Sequence, residues 1–252
     1  MEAADAFGIC PAGGSPLRPT IPPKATFIKN RRRALTHLKA GQHDSLCRLV
    51  RFGNDTMEPG MQADPGLENP LRRGDALIVV DAQNDFCPGG ALPIEEGDAV
   101  VPVLNRWIKR ASKAGVPVFA SCDWHPPEHL SFKPQGGEWP VHCVQGTAGA
   151  AFHPDLELPA DAKLVRKGAS PDRDQYSALD GTGLAEELRR RGVKRVWIGG
   201  LAEDVCVRAT ALDAVRQGFE THLIQSATRP VTAEGGKAAR SEMREAGVAI
   251  GD

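Results

Sequence analysis

Cys206, Lys167, Asp81 and Asp123 are the residues of this chain whose types and placement could do covalent chemistry. Cys206 lies in the run Gly199-Gly200-Leu201-Ala202-Glu203-Asp204-Val205-Cys206-Val207, where an apolar strand, 195–198, feeds a Gly-Gly turn and a helix begins. Asp204 is the expected N-cap, with Cys206 in the first helical turn. A thiol is a nucleophile only as thiolate, and the unpaired N–H groups of a helix N-terminus favour that anion. A lone cysteine in this setting would read as a small core residue. Its company changes the reading: Asp81 ends one apolar run, Asp123 follows a second, Lys167 ends a third and Cys206 follows a fourth. In a parallel sheet those four ends share one edge, where open α/β sheets place their sites. The set supplies a nucleophile, a base and a cation to hold anionic charge. Taken singly, Asp81 would be a turn cap and Lys167 a solvated strand end.

Asp123-Trp124-His125 adds a second kind of chemistry. Residues i and i+2 of an extended chain point the same way, so this carboxylate and imidazole can share one metal ion. The following segment offers His129, His142 and His153 as further ligands, and spacing alone does not choose among them. A divalent ion with imidazole and carboxylate ligands is implied, zinc first, with manganese and iron as alternatives.

These groups must be carried by alternating strands and helices. Ala76–Asp81 is a short apolar run, as for a strand buried on both faces. Helix is expected over 97–114, stopping at Gly115, and strand over 116–121. Residues 124–160, rich in Pro, Gly, His and Trp, form a long loop of the kind that is usually functional. Then come strand 163–167, helix 181–191, strand 195–201, helix 204–217, strand 219–225, helix 232–246 and a last strand, 248–250. The pattern predicts an α/β fold with a parallel sheet and helices on both faces.

The chain has 252 residues, 41 % apolar and 25 % charged, with a net charge of −1. This composition suits one globular α/β domain and gives no reason to expect nucleic acid or a membrane as a partner. No run approaches the ~20 apolar residues that span a bilayer. The six cysteines form no CxxC pair, so a reduced, cytoplasmic setting is expected. Residues 1–74 differ from the rest. They are rich in Pro, Gly and Arg, and between Ala6 and Gly53 carry nine Lys or Arg against one acid, Asp44. They read as a disordered extension with no chemistry of its own, or as upstream sequence before a later start; an acid-poor organelle-targeting segment is the alternative. Residues 75–252 form the folded domain.

At this point the sequence resembles a family. Asp81-Ala82-Gln83-Asn84-Asp85-Phe86-Cys87-Pro88-Gly89-Gly90-Ala91-Leu92, Asp123-Trp124-His125, Trp139-Pro140-Val141-His142-Cys143-Val144, Lys167-Gly168 and Leu201–Val207 are similar to the nicotinamidases (pyrazinamidases), isochorismatase-like cysteine hydrolases. The resemblance covers about 75–250. It implies a six-stranded parallel sheet with helices on both sides, and hydrolysis of nicotinamide to nicotinate and ammonia in NAD salvage. It implies Asp81, Lys167 and Cys206 as catalytic triad and Asp123, His125 and His142 as metal ligands, with His129 a ligand in some members only. It places Phe86, Leu92, Trp139, Tyr176, Leu201 and Ala202 at the substrate. A cis Leu201–Ala202 peptide would aim the Ala202 N–H, with that of Cys206, at the substrate oxygen.

Departures from the pattern are few. Glu203 stands where Thr is common and either adds charge near the nucleophile or points into solvent. Leu179 stands where an aromatic residue is frequent, and the chain stops soon after its last strand. Ureidoacrylate- and carbamoyl-type amidases share the triad but generally lack the metal set. A non-catalytic metal or nicotinamide binder, and a redox role for Cys206 with Cys143 or Cys122, are readings from other classes. Homo-oligomerisation is left open.

Overall fold

The computed structural model describes residues 71–252, so nearly all of the extension expected over 1–74 lies outside the described residues. Its last four residues already touch the domain. Leu71 packs against the core, and the Gly74 carbonyl accepts from the Lys194 N–H at 2.8 Å.

Six parallel strands form one sheet: β1 (Asp75–Val80), β2 (Val118–Asp123), β3 (Lys163–Lys167), β4 (Arg195–Leu201), β5 (Glu220–Arg229) and β6 (Ala249–Gly251). Their order is β3-β2-β1-β4-β5-β6. The chain winds to one side as far as β3, then returns to wind the other way from β4. That reversal leaves a crevice beyond the C-terminal ends of β1 and β4, the place where such sheets bind ligands. β1 and β4 are buried at every position: each is apolar after its first residue, and those first residues, Asp75 and Arg195, pair with one another at 2.7 Å.

The helices take both faces, as expected. α1 (Val100–Ala114) covers one with a stripe of Val100, Val101, Leu104, Trp107, Ile108 and Ala111. These positions recur at helical spacing, and burying each large aliphatic member contributes roughly 1.5–3 kcal/mol. α2 (Leu184–Arg190), α3 (Arg208–Arg216) and α4 (Ala233–Glu245) cover the other face through Leu184, Leu188, Ala211, Leu212, Ala239 and Met243.

Three expectations shift. β2 runs two residues further than the sequence suggests, so Asp123 is its last residue. β5 extends to Arg229, with an irregularity in its pairing with β4 between Ile198 and Gly200. The helix expected from 204 begins instead as a π turn, Glu203–Val207, which runs on into α3. Asp204 is therefore inside the turn rather than its N-cap. Its carboxylate accepts from the Val231 and Thr232 N–H groups instead, at 2.8 and 3.3 Å.

Candidate active site

Four buried groups, Lys167, Asp81, Asp123 and Cys206, meet at the crevice. Lys167, at the end of β3, is fully buried. Its Nζ lies 2.8 Å from Asp81 Oδ2 and 2.5 Å from Asp123 Oδ1, and donates to Cys206 Sγ at 3.2 Å. A carboxylate oxygen of Asp81, one of Asp123 and Cys206 Sγ all lie within 4.8 Å of one another. Asp81 takes the left-handed backbone conformation at φ 47°, unusual for a residue with a side chain. Its Oδ1 accepts from Ser121 Oγ at 2.7 Å. Its Oδ2 faces the ammonium of Lys167 as an ion pair and has no other partner.

The electrostatics follow from burial and from three charges in contact. Burial raises the Asp81 carboxyl above the usual carboxylate range, against the pull of Lys167. Burial works against the charge on Lys167, but Asp123 and Asp81 outweigh it and hold the ammonium well above an ordinary lysine. Burial raises the Cys206 thiol too, with Lys167 opposing it. The thiolate favoured by a helix N-terminus is thus not the resting form. What the site offers is a thiol beside a base strengthened by burial and a fixed cation.

The metal-ligating set is built on the last residue of β2 and the loop after it. Asp123, His125 and His142 present ligand atoms within 4.8 Å of one another, all from buried side chains. His125 Nδ1 donates to the Gly168 carbonyl at 2.9 Å, and His142 Nδ1 donates to the Pro140 carbonyl at 2.7 Å. A carbonyl can only accept, so each Nε2 is left as a lone pair, the tautomer that a metal requires. Gly168 permits the approach of His125: with φ 61°, a Cβ there would lie 2.3 Å from the ring. The fully buried Phe132, which the sequence did not single out, sets edge contacts with the rings of both ligand histidines and of His129. Gln83, also buried, grips the backbone of Asp123 from both sides, accepting from its N–H and donating to its carbonyl, each at 2.8 Å. This donor set fits a divalent ion.

His129 is not brought into that set. Its Nε2 faces the Arg173 carbonyl at 3.1 Å, so it carries the proton. Its Nδ1 accepts from Ser131 Oγ at 2.7 Å and from the Ser131 N–H at 3.3 Å. In this structure both its nitrogens bond within the protein, and it lies outside the cluster of Asp123, His125 and His142. His153 is elsewhere on the surface, beside Pro154 and Gly89.

A pocket opens over Cys206, Asp123, His125 and His142. Phe86, Leu92, Trp139, Tyr176 and Ala202 line it. Trp139 Nε1 donates to the Tyr176 hydroxyl at 3.1 Å, joining two walls. Leu201 departs from expectation: it is fully buried in the core, and only its backbone reaches the site. The Leu201–Ala202 peptide is cis. Cys87, Cys122, Cys143 and Cys206 are free thiols. Burial pushes Cys122 up to about 12 and Cys143 higher still, so neither is poised for thiol exchange.

Comparison with known proteins establishes the family. The isochorismatase domain matches residues 75–252. The nicotinamidase/pyrazinamidase of Mycobacterium tuberculosis is 42 % identical over 183 residues, covering 69 % of this chain and 97 % of that protein. The nicotinamidase of Escherichia coli is 39 % identical over 198 residues, covering 69 % and 93 %. The pyrazinamidase of Pyrococcus horikoshii, solved in complex with zinc, superposes with a TM-score of 0.69 at 48 % identity, covering 70 % of this chain and 98 % of that one. The chain belongs to the isochorismatase family, within its nicotinamidase branch.

Proposed function

We propose that this protein hydrolyses nicotinamide to nicotinate and ammonia, and pyrazinamide likewise, through a thioester on Cys206. The observation that carries the reading is the contact of Cys206 with Lys167, itself paired to Asp81, where Cys206 lines a pocket that Asp123, His125 and His142 also line.

An unactivated amide needs a strong nucleophile and a proton for its leaving nitrogen. Asp81 takes the thiol proton, and the ammonium of Lys167 balances the charge that remains. The thiolate attacks the amide carbon, and the carbonyl electrons move to oxygen. The N–H groups of Ala202 and Cys206 hold that oxyanion; losing one such donor typically costs about 3–4 kcal/mol. Asp81 returns the proton to nitrogen, the C–N bond breaks and ammonia leaves. Water, deprotonated by Asp81, then attacks the thioester carbon, the C–S bond breaks, Asp81 returns that proton to the Cys206 sulfur, and the acid product leaves as nicotinate with its proton lost to solvent. Phe86 and Trp139 flank the ring and fix its attitude to the thiol. Asp123, His125 and His142 would hold a divalent ion, zinc in our reading, which supplies a Lewis-acid site for the pyridine nitrogen.

The test is release of ammonia and nicotinate in equal amounts from nicotinamide by purified, zinc-loaded protein. Absence of release from folded, loaded protein would refute the reading and turn attention to carbamoyl and ureido substrates.

A further inference from the structure

Glu203 does not point into solvent. It is 2 % exposed, in the π turn that carries Cys206 and directly after Ala202. Its Oε2 accepts from Thr228 Oγ1 at 2.6 Å, and its Oε1 pairs with the guanidinium of Arg240 on α4. Thr228 sits on β5 beside Gly200 of β4. Asp204, the next residue, ties the same turn to the β5–α4 connection through Val231 and Thr232. Arg208, one residue past the turn, pairs with Glu242 of α4 at 2.7 Å.

α4 is shaped for this contact. It carries Gly235-Gly236 in its first turn, which costs a helix roughly 1 kcal/mol for each Gly relative to Ala. The close approach explains both. A Cβ at Gly235 would lie 2.2 Å from Asp204 Oδ2, and one at Gly236 would lie 2.8 Å from Pro230 Cβ and 2.9 Å from Glu203 Oε1. A π turn is rare and uncommonly held in isolation. Here two adjacent carboxylates bolt it to the next strand and helix.

We propose that Glu203 is a positioning residue for the reaction, with Arg240 as its partner. The buried pair fixes the π turn, and through it the Cys206 thiol and the Ala202 N–H, against Lys167 and Asp81. The proposal rests on the amidase reading above for its kinetic consequence, but not for its structural one. Misplacing a reacting group by about 1 Å costs roughly 100-fold in rate. The pair's partners differ in what their loss leaves behind. Arg240 is 24 % exposed and can turn to water when Glu203 is neutralised. Glu203 cannot, so removal of Arg240 strands a buried carboxylate beside the nucleophile.

The experiment compares full-length, zinc-loaded parent, Glu203→Gln, Arg240→Met and the double variant. It measures kcat and KM for nicotinamide, the rate of Cys206 labelling by iodoacetamide at one pH, and Tm. Arg240→Met is expected to lose roughly 100-fold in kcat with KM within about threefold, and to change the labelling rate. Glu203→Gln, which preserves shape and the Thr228 contact, should lose less, on the order of tenfold. The double variant should recover part of the Arg240→Met loss, because no unpaired charge remains. Should Arg240→Met fail to fold, Glu203→Gln decides alone. Both single variants keeping kcat within about twofold, with parental labelling, would overturn the proposal. So would a loss of activity that only tracks the fraction of unfolded protein. If the parent itself releases no ammonia, the amidase reading falls, while the labelling comparison still decides whether the pair positions Cys206.

Discussion

Replacing Lys167 by Met keeps the length of the side chain and removes its charge from the centre of the site. Lys167 is fully buried and touches two carboxylates, Asp81 at 2.8 Å and Asp123 at 2.5 Å. Breaking a buried ion pair by removing one partner costs about 3–5 kcal/mol, because the other charge is left uncompensated. With a divalent ion on Asp123, that carboxylate keeps a cation, and only Asp81 is stranded. The metal-loaded variant should therefore lose about 3–5 kcal/mol of stability, and the stripped variant more. Small domains have roughly 5–15 kcal/mol to lose, so the loaded variant should remain folded. Lost in the transition state as well, the same energy lowers kcat/KM by roughly 10²–10⁴-fold, at 1.36 kcal/mol per decade. The assay is urea unfolding of parent and variant with zinc and with chelator, beside kcat/KM for nicotinamide. A variant destabilised by less than about 1 kcal/mol in both conditions, or one whose kcat/KM stays within about threefold, would refute the reasoning.

His142→Ala should lose metal and raise KM for nicotinamide, whereas His129→Ala should keep the parental metal content, since both nitrogens of His129 bond within the protein; elemental analysis of the two variants separates these outcomes. The acid limb of kcat/KM should lie above pH 3.8, because burial raises Asp81 from that value and the base acts only when ionised. The sign for stability is opposite. A folded carboxyl raised above its unfolded value binds protons better in the folded state. Its contribution favours folding at low pH and fades as pH rises from 3.8 toward the folded value. An acid limb at or below pH 3.8 would remove Asp81 as the base. Deleting residues 1–70 should leave a folded protein with parental kcat/KM, because contacts with the domain are already in place from Leu71 onward; insoluble or inactive protein would show that the extension belongs to the fold.

The sequence revealed what depends on local order. Asp81, Asp123, Lys167 and Cys206 could be placed on one edge because each sits at or just after the end of a strand, and parallel strands end together. What escaped it were contacts across long separations. Whether Glu203 faced water could not be read without Arg240, 37 residues on and a helix away. The available hint was Gly235-Gly236 inside an otherwise helical stretch, a costly pair that implies a close neighbour. Asp204 was taken for an N-cap because acid before an apolar helix usually is one. It failed because the chain enters α3 through a π turn and the β5–α4 connection claims the carboxylate. Leu201 was assigned to the pocket by its place in a motif, yet at the end of a fully buried strand its side chain belongs to the core. His129 differs from His125 only in what its nitrogens meet, which no spacing records.

The most direct test of the account is turnover by Cys206→Ala, purified with zinc beside the parent and assayed for ammonia from nicotinamide. Cys206 stands outside the cluster of Asp123, His125 and His142 and forms only part of the pocket wall. The account predicts parental metal content, retained binding of nicotinamide and no turnover. Appreciable ammonia release by that variant would contradict the assignment of Cys206 as the nucleophile, and with it the mechanism.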